Sequence, residues 1–296
     1  KVLSKKELIK SLNKKSYDAV LCLLTDKIDG DVFDAAPNAK IFANYAVGFD
    51  NIDVEAAKKK GVMVSNTPGV LSEAVAEHSV ALMLAVARRI PESDKFVRAG
   101  KYKGWAPMLF LGGGLFGKTV GIIGLGRIGT KTAHITSQGF GAKVIYYDIR
   151  RNEDFEKEFP SGSIEFKPSI GEVLKEADFV SLHLPLTEQT KHIINKEKLA
   201  LMKPSAYLIN TSRGPIIDEA ALAEALKNKI IKGAGLDVFE FEPKISKGLL
   251  KMNNVVLTPH TASATEETRA KMAEVAAQNI IEALEGRTPP NLVVSH

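Results

Sequence analysis

The stretch KTVGIIGLGRIGTKTAHITSQGFGAKVIYYD, residues 118–148, leaves the chain few folds to choose from. A β-branched run ends at Gly124, Gly126 and Gly129, spaced G-x-G-x-x-G, and a helix begins near Arg127. A second β-branched run follows and stops at Asp148, 19 residues after Gly129. Strand, glycine turn, helix and strand make one βαβ unit of a parallel sheet. The first glycine permits the tight turn, the second lets a pyrophosphate approach the backbone, and the third lets the helix lie against the strand. Asp148 stands where a carboxylate accepts hydrogen bonds from an adenosine ribose and repels a 2′-phosphate, which favours NAD. Arg150 and Arg151 could pair with such a phosphate, so NADP is the alternative.

Directly upstream, GGGLFGKT (Gly112 to Thr119) satisfies the phosphate-loop spacing G-x-x-x-x-G-K-T. A phosphate loop must open into a helix whose free N–H groups bind the anion. Here Lys118 and Thr119 lead straight into VGII, so the segment reads as a glycine-rich connector.

Short β-rich runs alternate with helical stretches along almost the whole chain, which is the pattern of an α/β fold with parallel sheets. Strands are expected at 18–24, 41–44, 62–65, 119–123, 143–147, 179–183, 206–210, 233–236 and 255–258. Helices are expected at 54–60, 169–176, 195–202 and 218–227, the last capped by Asp218. Two longer helices break this rhythm. Residues 72–89 are apolar on nearly every face, which predicts a helix enclosed by protein and capped by Ser72. Residues 265–285 form the other. Pro91 follows the first and GRTPPN the second, which predicts two domains, one inserted in the other: 1–90 with 283–296 outside, 91–282 inside. A chain of 296 residues, 45% hydrophobic, can fill two such cores.

Charge and cysteine content exclude several classes. The net charge is only +5, and no long block of one sign occurs, so no nucleic-acid partner is expected. The basic stretch Lys1 to Lys15 carries Leu8, Ile9 and Leu12 at helical spacing and reads as a surface helix. Cys22, the single cysteine, lies in an apolar run and cannot form an internal disulfide, which fits a reducing, cytoplasmic setting. No apolar run has membrane-spanning length and no signal-peptide pattern is visible, so no membrane partner is expected.

In an open parallel sheet, ligands bind beyond the carboxyl ends of the strands. Those ends carry Gly124, Asp148, the HLPLT segment 183–187, Thr211-Ser212-Arg213, Asp237 and His260. Of the six histidines, His78 falls inside the apolar helix and reads as a core residue. His134 and His192 have no evident partner, and His296 lies in the tail. His183 suits a backbone-shaping role beside a cofactor as well as catalysis, and His260, held by Pro259, is the candidate for proton transfer. Their spacing fits no metal site, so no metal is expected. Arg213, where a strand stops before Gly214-Pro215, suits a carboxylate because its planar fork donates two parallel hydrogen bonds. The segment GLDVFEFEP then poses a question, with Asp237, Glu240 and Glu242 crowded into six positions.

With these residues assembled, the sequence resembles the D-isomer-specific 2-hydroxyacid dehydrogenases, and among them the glyoxylate/hydroxypyruvate reductases. The resemblance spans essentially the whole chain. It rests on ANYAVGFDNID (43–53), NTPGVLSEAVAEHSVALML (66–84), GWAP (104–107), GKTVGIIGLGRIG (117–129), HLPLT, LINTSRGPIIDE (208–219), GLDVFEFEP and LTPHTAS. It implies two doubly wound α/β domains, with a Rossmann cofactor domain inserted in a flavodoxin-like substrate domain. Hydride would pass from NAD(P)H to a small 2-oxo acid, glyoxylate or hydroxypyruvate above all, to give a D-2-hydroxy acid. Lactate- or phosphoglycerate-type specificity, or a co-repressor-like NADH-sensing role, are the alternatives.

Residue by residue, the resemblance implies catalysis by Arg213, Glu242 and His260. The amides of Val47 and Gly48, with Arg213 and His260, would hold the substrate. The cofactor would meet Gly124, Leu125, Gly126, Arg127, Ile128 and Gly129 at its pyrophosphate, and Asp148, Ile149 and Arg150 near its ribose. Leu184, Pro185, Thr190, Thr211 and Ser212 would line its other side. Asp237 would accept a hydrogen bond from the nicotinamide carboxamide, and Glu242 would favour the imidazolium of His260. Glu240 would be a solvated neighbour. Members of the family generally form homodimers, and usually begin with a strand and helix before the segment that opens here. If those elements are absent, the outer domain's sheet is expected to expose an unpaired edge; truncation explains the start of the sequence equally well.

Overall fold

The computed structural model describes residues 3–294. The chain begins with α1 (Lys5–Leu12), β1 (Ala19–Cys22), α2 (Gly30–Asp34), β2 (Ile41–Asn44), α3 (Val54–Lys59) and β3 (Met63–Ser65). It continues through α4 (Ser72–Ala87), α5 (Ile90–Arg98), β4 (Thr119–Ile123), α6 (Arg127–Phe140), β5 (Lys143–Tyr147), α7 (Glu153–Glu156) and β6 (Ile164–Phe166). Next come α8 (Ile170–Glu176), β7 (Phe179–Leu182), α9 (Lys196–Leu199), β8 (Tyr207–Asn210), α10 (Glu219–Lys227), β9 (Gly233–Leu236) and β10 (Val255–Leu257). The chain closes with α11 (Glu266–Leu284) and β11 (Leu292–Val294).

Packing divides the chain into two units, 1–71 with 264–296 and 72–263. These breaks differ from the expected ones at 90/91 and 282/283 because each long helix packs within the opposite unit from the one its flanking proline suggests. Helix α4 buries Val80, Leu82, Met83 and Val86 in one core with Val120, Ile122, Tyr207 and Ile209. Helix α11 lies on β2, and its buried Asn279 ties Asn66 and Asn291 into the smaller unit, through Nδ2 to the Asn66 carbonyl and from the Asn291 amide to Oδ1. Nor is α4 enclosed on every face. Glu73, Glu77 and Ala81, one helical turn apart, are exposed, and Ser72 is the first helical residue rather than the flanking cap.

The larger unit holds a seven-stranded sheet in the order β10-β9-β8-β7-β4-β5-β6, parallel throughout. Strands β7, β8 and β9 are buried at every residue, as befits strands covered on both faces. The strand order reverses beside β4, which pairs with β5 on one side and β7 on the other. A crevice at such a reversal is where this architecture binds ligands.

The smaller unit holds the order β1-β2-β3-β11, with the first three strands parallel and β11 antiparallel. Phe33 packs edge-on against Phe42 in its core. Among the described residues β1 pairs with β2 alone, and Leu21 within it and Leu23 just after it are exposed. His296 lies outside the described residues. No described helix is long and apolar enough to cross a membrane.

Candidate active site

At the end of β4 the chain turns through Gly124 at φ +95°, where a Cβ would lie 2.6 Å from the His183 carbonyl oxygen. A Cβ on Gly129 would lie 2.1 Å from the Gly124 carbonyl oxygen, so α6 rests directly on the turn. Gly126, the N-cap of α6, offers no side chain to the free amides of the first turn, and nothing stands within 4 Å of where its Cβ would be. Free amides, open space and the positive end of a 14-residue helix together fit a pyrophosphate. Asp148 accepts from the Leu125 amide at 2.7 Å and from the Ile149 amide at 2.6 Å, one on each oxygen. Each oxygen keeps lone pairs for a ribose hydroxyl. Arg127 and Ile128 open the helix, and Ile149 and Arg150 are exposed beside Asp148. These residues fit a dinucleotide.

The connector with phosphate-loop spacing fails the same test. Lys118 is exposed, Thr119 opens β4, and no helix follows.

Past β7, the Thr190 hydroxyl donates to the Pro185 carbonyl at 2.6 Å and accepts from the Thr187 amide, folding the loop that carries Leu184 and Pro185. His183 sits in an enclosed position against Ser181 Oγ at 2.9 Å, and burial pushes its pKa down to about 3. A ring held neutral to that degree is no proton donor near neutrality.

The other half of the sheet gathers the candidate chemistry. Register pairs Leu236 with Asn210 on one side and Leu257 on the other. Arg213 and His260 each lie three residues beyond those partners, flanking Asp237. Asn210 fixes the turn between: its Nδ2 donates to the Arg213 carbonyl, and its Oδ1 accepts from the amide and hydroxyl of Ser212. Arg213 Nη1 donates to the Ser212 carbonyl at 2.9 Å. Thr211 is buried, and its hydroxyl meets Ser79 Oγ at 2.8 Å, so it ties β8 to α4.

Asp237 has no exposed surface. Its Oδ1 accepts from Thr258 Oγ1 at 2.6 Å and the Thr261 amide at 2.8 Å, its Oδ2 from the Ala262 amide at 2.8 Å, and its carbonyl from the His260 amide at 2.8 Å. Desolvation alone would raise its pKa. The hydrogen bonds from His78, Thr258, Thr261 and Ala262 outweigh that and hold it below the usual carboxylate value. Thr258 gives its proton to Asp237, so His78 Nε2, 3.0 Å from Thr258 Oγ1, must be the donor. These hydrogen bonds fasten the 258–262 loop to the end of β9.

His260 sits on that loop at φ +55°. A non-glycine residue held in the left-handed region is the kind of local strain that gathers at functional sites. Its Nδ1 lies 3.0 Å from Glu242 Oε2, and the other Glu242 oxygen accepts from the Phe239 amide at 2.9 Å. The carboxylate can only accept, so Nδ1 carries a proton and Nε2 is left for a reacting oxygen. Glu240 is no solvated neighbour. It accepts from His192 Nε2 at 2.7 Å and from the Glu219 amide, while Glu219 accepts from the amides of Glu240 and Ser246. This reciprocal clasp ties the loop bearing Glu242 to the start of α10.

His134 likewise has a partner, Glu158 at 3.1 Å, and stacks on Phe159. Sequence reasoning missed Thr258, Glu219 and the role of His78. His78 and Thr258 are 180 residues apart, and no local pattern joins them. In the smaller unit, Asn66 Nδ2 donates to the Val47 carbonyl at 2.7 Å and Asn44 Nδ2 to that of Gly48 at 2.9 Å.

The family model described as "D-isomer specific 2-hydroxyacid dehydrogenase, NAD binding domain" matches residues 80–262. A glyoxylate reductase of Korarchaeum cryptofilum is 53% identical over 98% of this chain and 86% of its own length. One from Thermococcus litoralis is 52% identical over 94% of this chain and 84% of its own length. Among solved structures, the TT0316 protein of Thermus thermophilus superposes with a TM-score of 0.90 at 44% identity, covering 99% of this chain and 90% of that one. An NADPH-dependent glyoxylate/hydroxypyruvate reductase of Sinorhizobium meliloti, in complex with NADP and malonate, gives 0.85 at 33% identity over 96% of this chain and 85% of that one.

Proposed function

The chain belongs to the D-isomer-specific 2-hydroxyacid dehydrogenases, and from that premise we propose that it reduces glyoxylate, and with it hydroxypyruvate, using NADH in preference to NADPH. The observation that carries the reading is the His260–Glu242 pair at 3.0 Å, on a loop that a sealed aspartate holds in place. Bound nicotinamide cofactor supplies the hydride for the keto carbon. The remaining duties fall to the chain.

His260, kept in one orientation by Glu242 through Nδ1, delivers a proton from Nε2 to the keto oxygen. Arg213 orients the acid and offsets the negative charge that develops on that oxygen. In the smaller unit, Val47 and Gly48 are the proposed carboxylate contacts, since Asn66 and Asn44 occupy their carbonyls and their amides have no partner among the described residues. Gly124 to Gly129 with Asp148 hold pyrophosphate and ribose. Ile149 and Arg150 lie beside the ribose, and Leu184, Pro185, Thr190, Thr211 and Ser212 form the opposite wall.

A homodimer is part of the proposal. Trp105, Met108, Leu111 and Phe116 are exposed along the connector before β4, apolar side chains that a second copy would cover. A cytoplasmic setting suits the single buried cysteine. The test is oxidation of NADH and NADPH with glyoxylate, hydroxypyruvate, pyruvate and 3-phosphohydroxypyruvate, with the enantiomers of glycerate formed from hydroxypyruvate separated. The reading requires D-glycerate and a preference for the first two acids. An L product, or no turnover of any 2-oxo acid, removes it.

A further inference from the structure

We propose that Glu156 sets the cofactor preference without touching the cofactor, by withholding Arg151 from the place where a 2′-phosphate would lie. The proposal rests on the reading that the β4–α6 corner binds the dinucleotide. In this architecture an acid after the second strand meets the ribose, and an arginine close to it receives the extra phosphate of NADP. Two arginines follow Asp148, and both line the shallow depression shared with Asn152 and Glu153.

The two are not equivalent. Arg150 is exposed and makes no ion pair among the described residues. Arg151 is forked onto Glu156, Nε to Oε1 at 2.9 Å and Nη2 to Oε2 at 2.6 Å. Glu156 is itself anchored from within. Its side chain is only 16% exposed, and the hydroxyl of buried Tyr146 donates to Oε1 at 2.7 Å while accepting from the Asn152 amide at 2.9 Å. Ordinary surface ion pairs are loose and exchange with water. This one has a carboxylate fixed by a core phenol, so Arg151 would have to leave a two-pronged, already neutralised contact to serve a phosphate. The pair shows in both titrations: Arg151 holds Glu156 below its usual value, and Glu156 raises that of Arg151. Arg150 alone then faces a phosphate that must also lie near the carboxylate of Asp148.

Glu156→Gln keeps the shape and the acceptor for Tyr146 but removes the charge that holds Arg151. Calorimetric titration without substrate, using adenosine 2′,5′-bisphosphate against 5′-AMP, isolates the 2′-phosphate. E156Q should bind the bisphosphate about tenfold more tightly, the scale of one charge-assisted contact, with 5′-AMP unchanged within about twofold. The ratio of kcat/KM for NADPH over NADH should rise in step. Arg151→Ala alone should change neither ligand, and E156Q/R151A should return to the parent values. An unchanged bisphosphate affinity in E156Q, or a gain that survives loss of Arg151, overturns the proposal. If the parent protein binds neither 5′-AMP nor NADH, the dinucleotide reading falls and takes the proposal with it.

Discussion

Asp148 and Asp237 occupy the same station on two strands of one sheet, each the residue after its strand, and each accepts backbone amides from an adjoining turn. What is left over separates them. Asp148 is partly exposed and holds one amide on each oxygen, so it can still take a ligand hydroxyl. Asp237 has no exposed surface, its Oδ1 holding Thr258 and the Thr261 amide and its Oδ2 the Ala262 amide. A strand-end carboxylate fastens neighbouring backbone at both stations, and the two differ in how much of the carboxylate water can reach.

The largest test of this contrast is His260→Ala, which removes the group that Asp237 fastens. Turnover with glyoxylate should fall about 10²- to 10⁴-fold, the range for loss of a general acid, while NADH binding followed by fluorescence is kept. A comparable loss of NADH affinity would mean that the loop serves the cofactor instead. Next comes Asp237→Ala, which orphans buried donors and should cost about 3 kcal/mol, seen as a lower urea midpoint with unchanged slope. Stability equal to the parent would break the comparison at its centre.

Between the two aspartates lies His183, and there pH separates the contributions. Unfolded, this ring takes a proton below about 6.5; folded, not until about 3. Across that window the unfolded chain holds more protons, so stability should fall as pH drops, by at most about 1.4 kcal/mol per pH unit. His183→Asn should flatten the slope. Asp237 has its folded pKa below the ordinary value of 3.8, so its contribution is present above that value and is lost only as pH falls through the lower one. The smallest effect belongs to Asp148→Ala. NADH should bind about tenfold more weakly, near 1.4 kcal/mol, with the unfolding midpoint almost unmoved because water replaces the lost acceptor.

Most strands of both sheets are legible in the sequence to within a residue or two at their ends. Segments 41–44, 119–123, 143–147 and 233–236 coincide with β2, β4, β5 and β9 because strands covered on both faces read as unbroken apolar runs. Strands β6 and β11, three residues long and at sheet edges, escape notice, whereas β10, equally short and also at an edge, does not. Pro91 reads as a stop, yet it stands in the first turn of α5, where its missing N–H costs nothing. At the candidate site, residue types and strand ends are legible, and the family resemblance adds the pairing of His260 with Glu242. The hydrogen bonding of Asp237 and the clasp of Glu240 with Glu219 and His192 are not, since their partners come from distant parts of the chain.

Gly112 belongs to the connector whose spacing imitates a phosphate loop, and a Cβ there would stand 2.1 Å from the Ala87 carbonyl oxygen. Evolution would guard that position as jealously as any nucleotide contact, for want of room alone. Steric intolerance and chemical necessity leave one and the same imprint on a lineage, and only three-dimensional neighbours tell them apart.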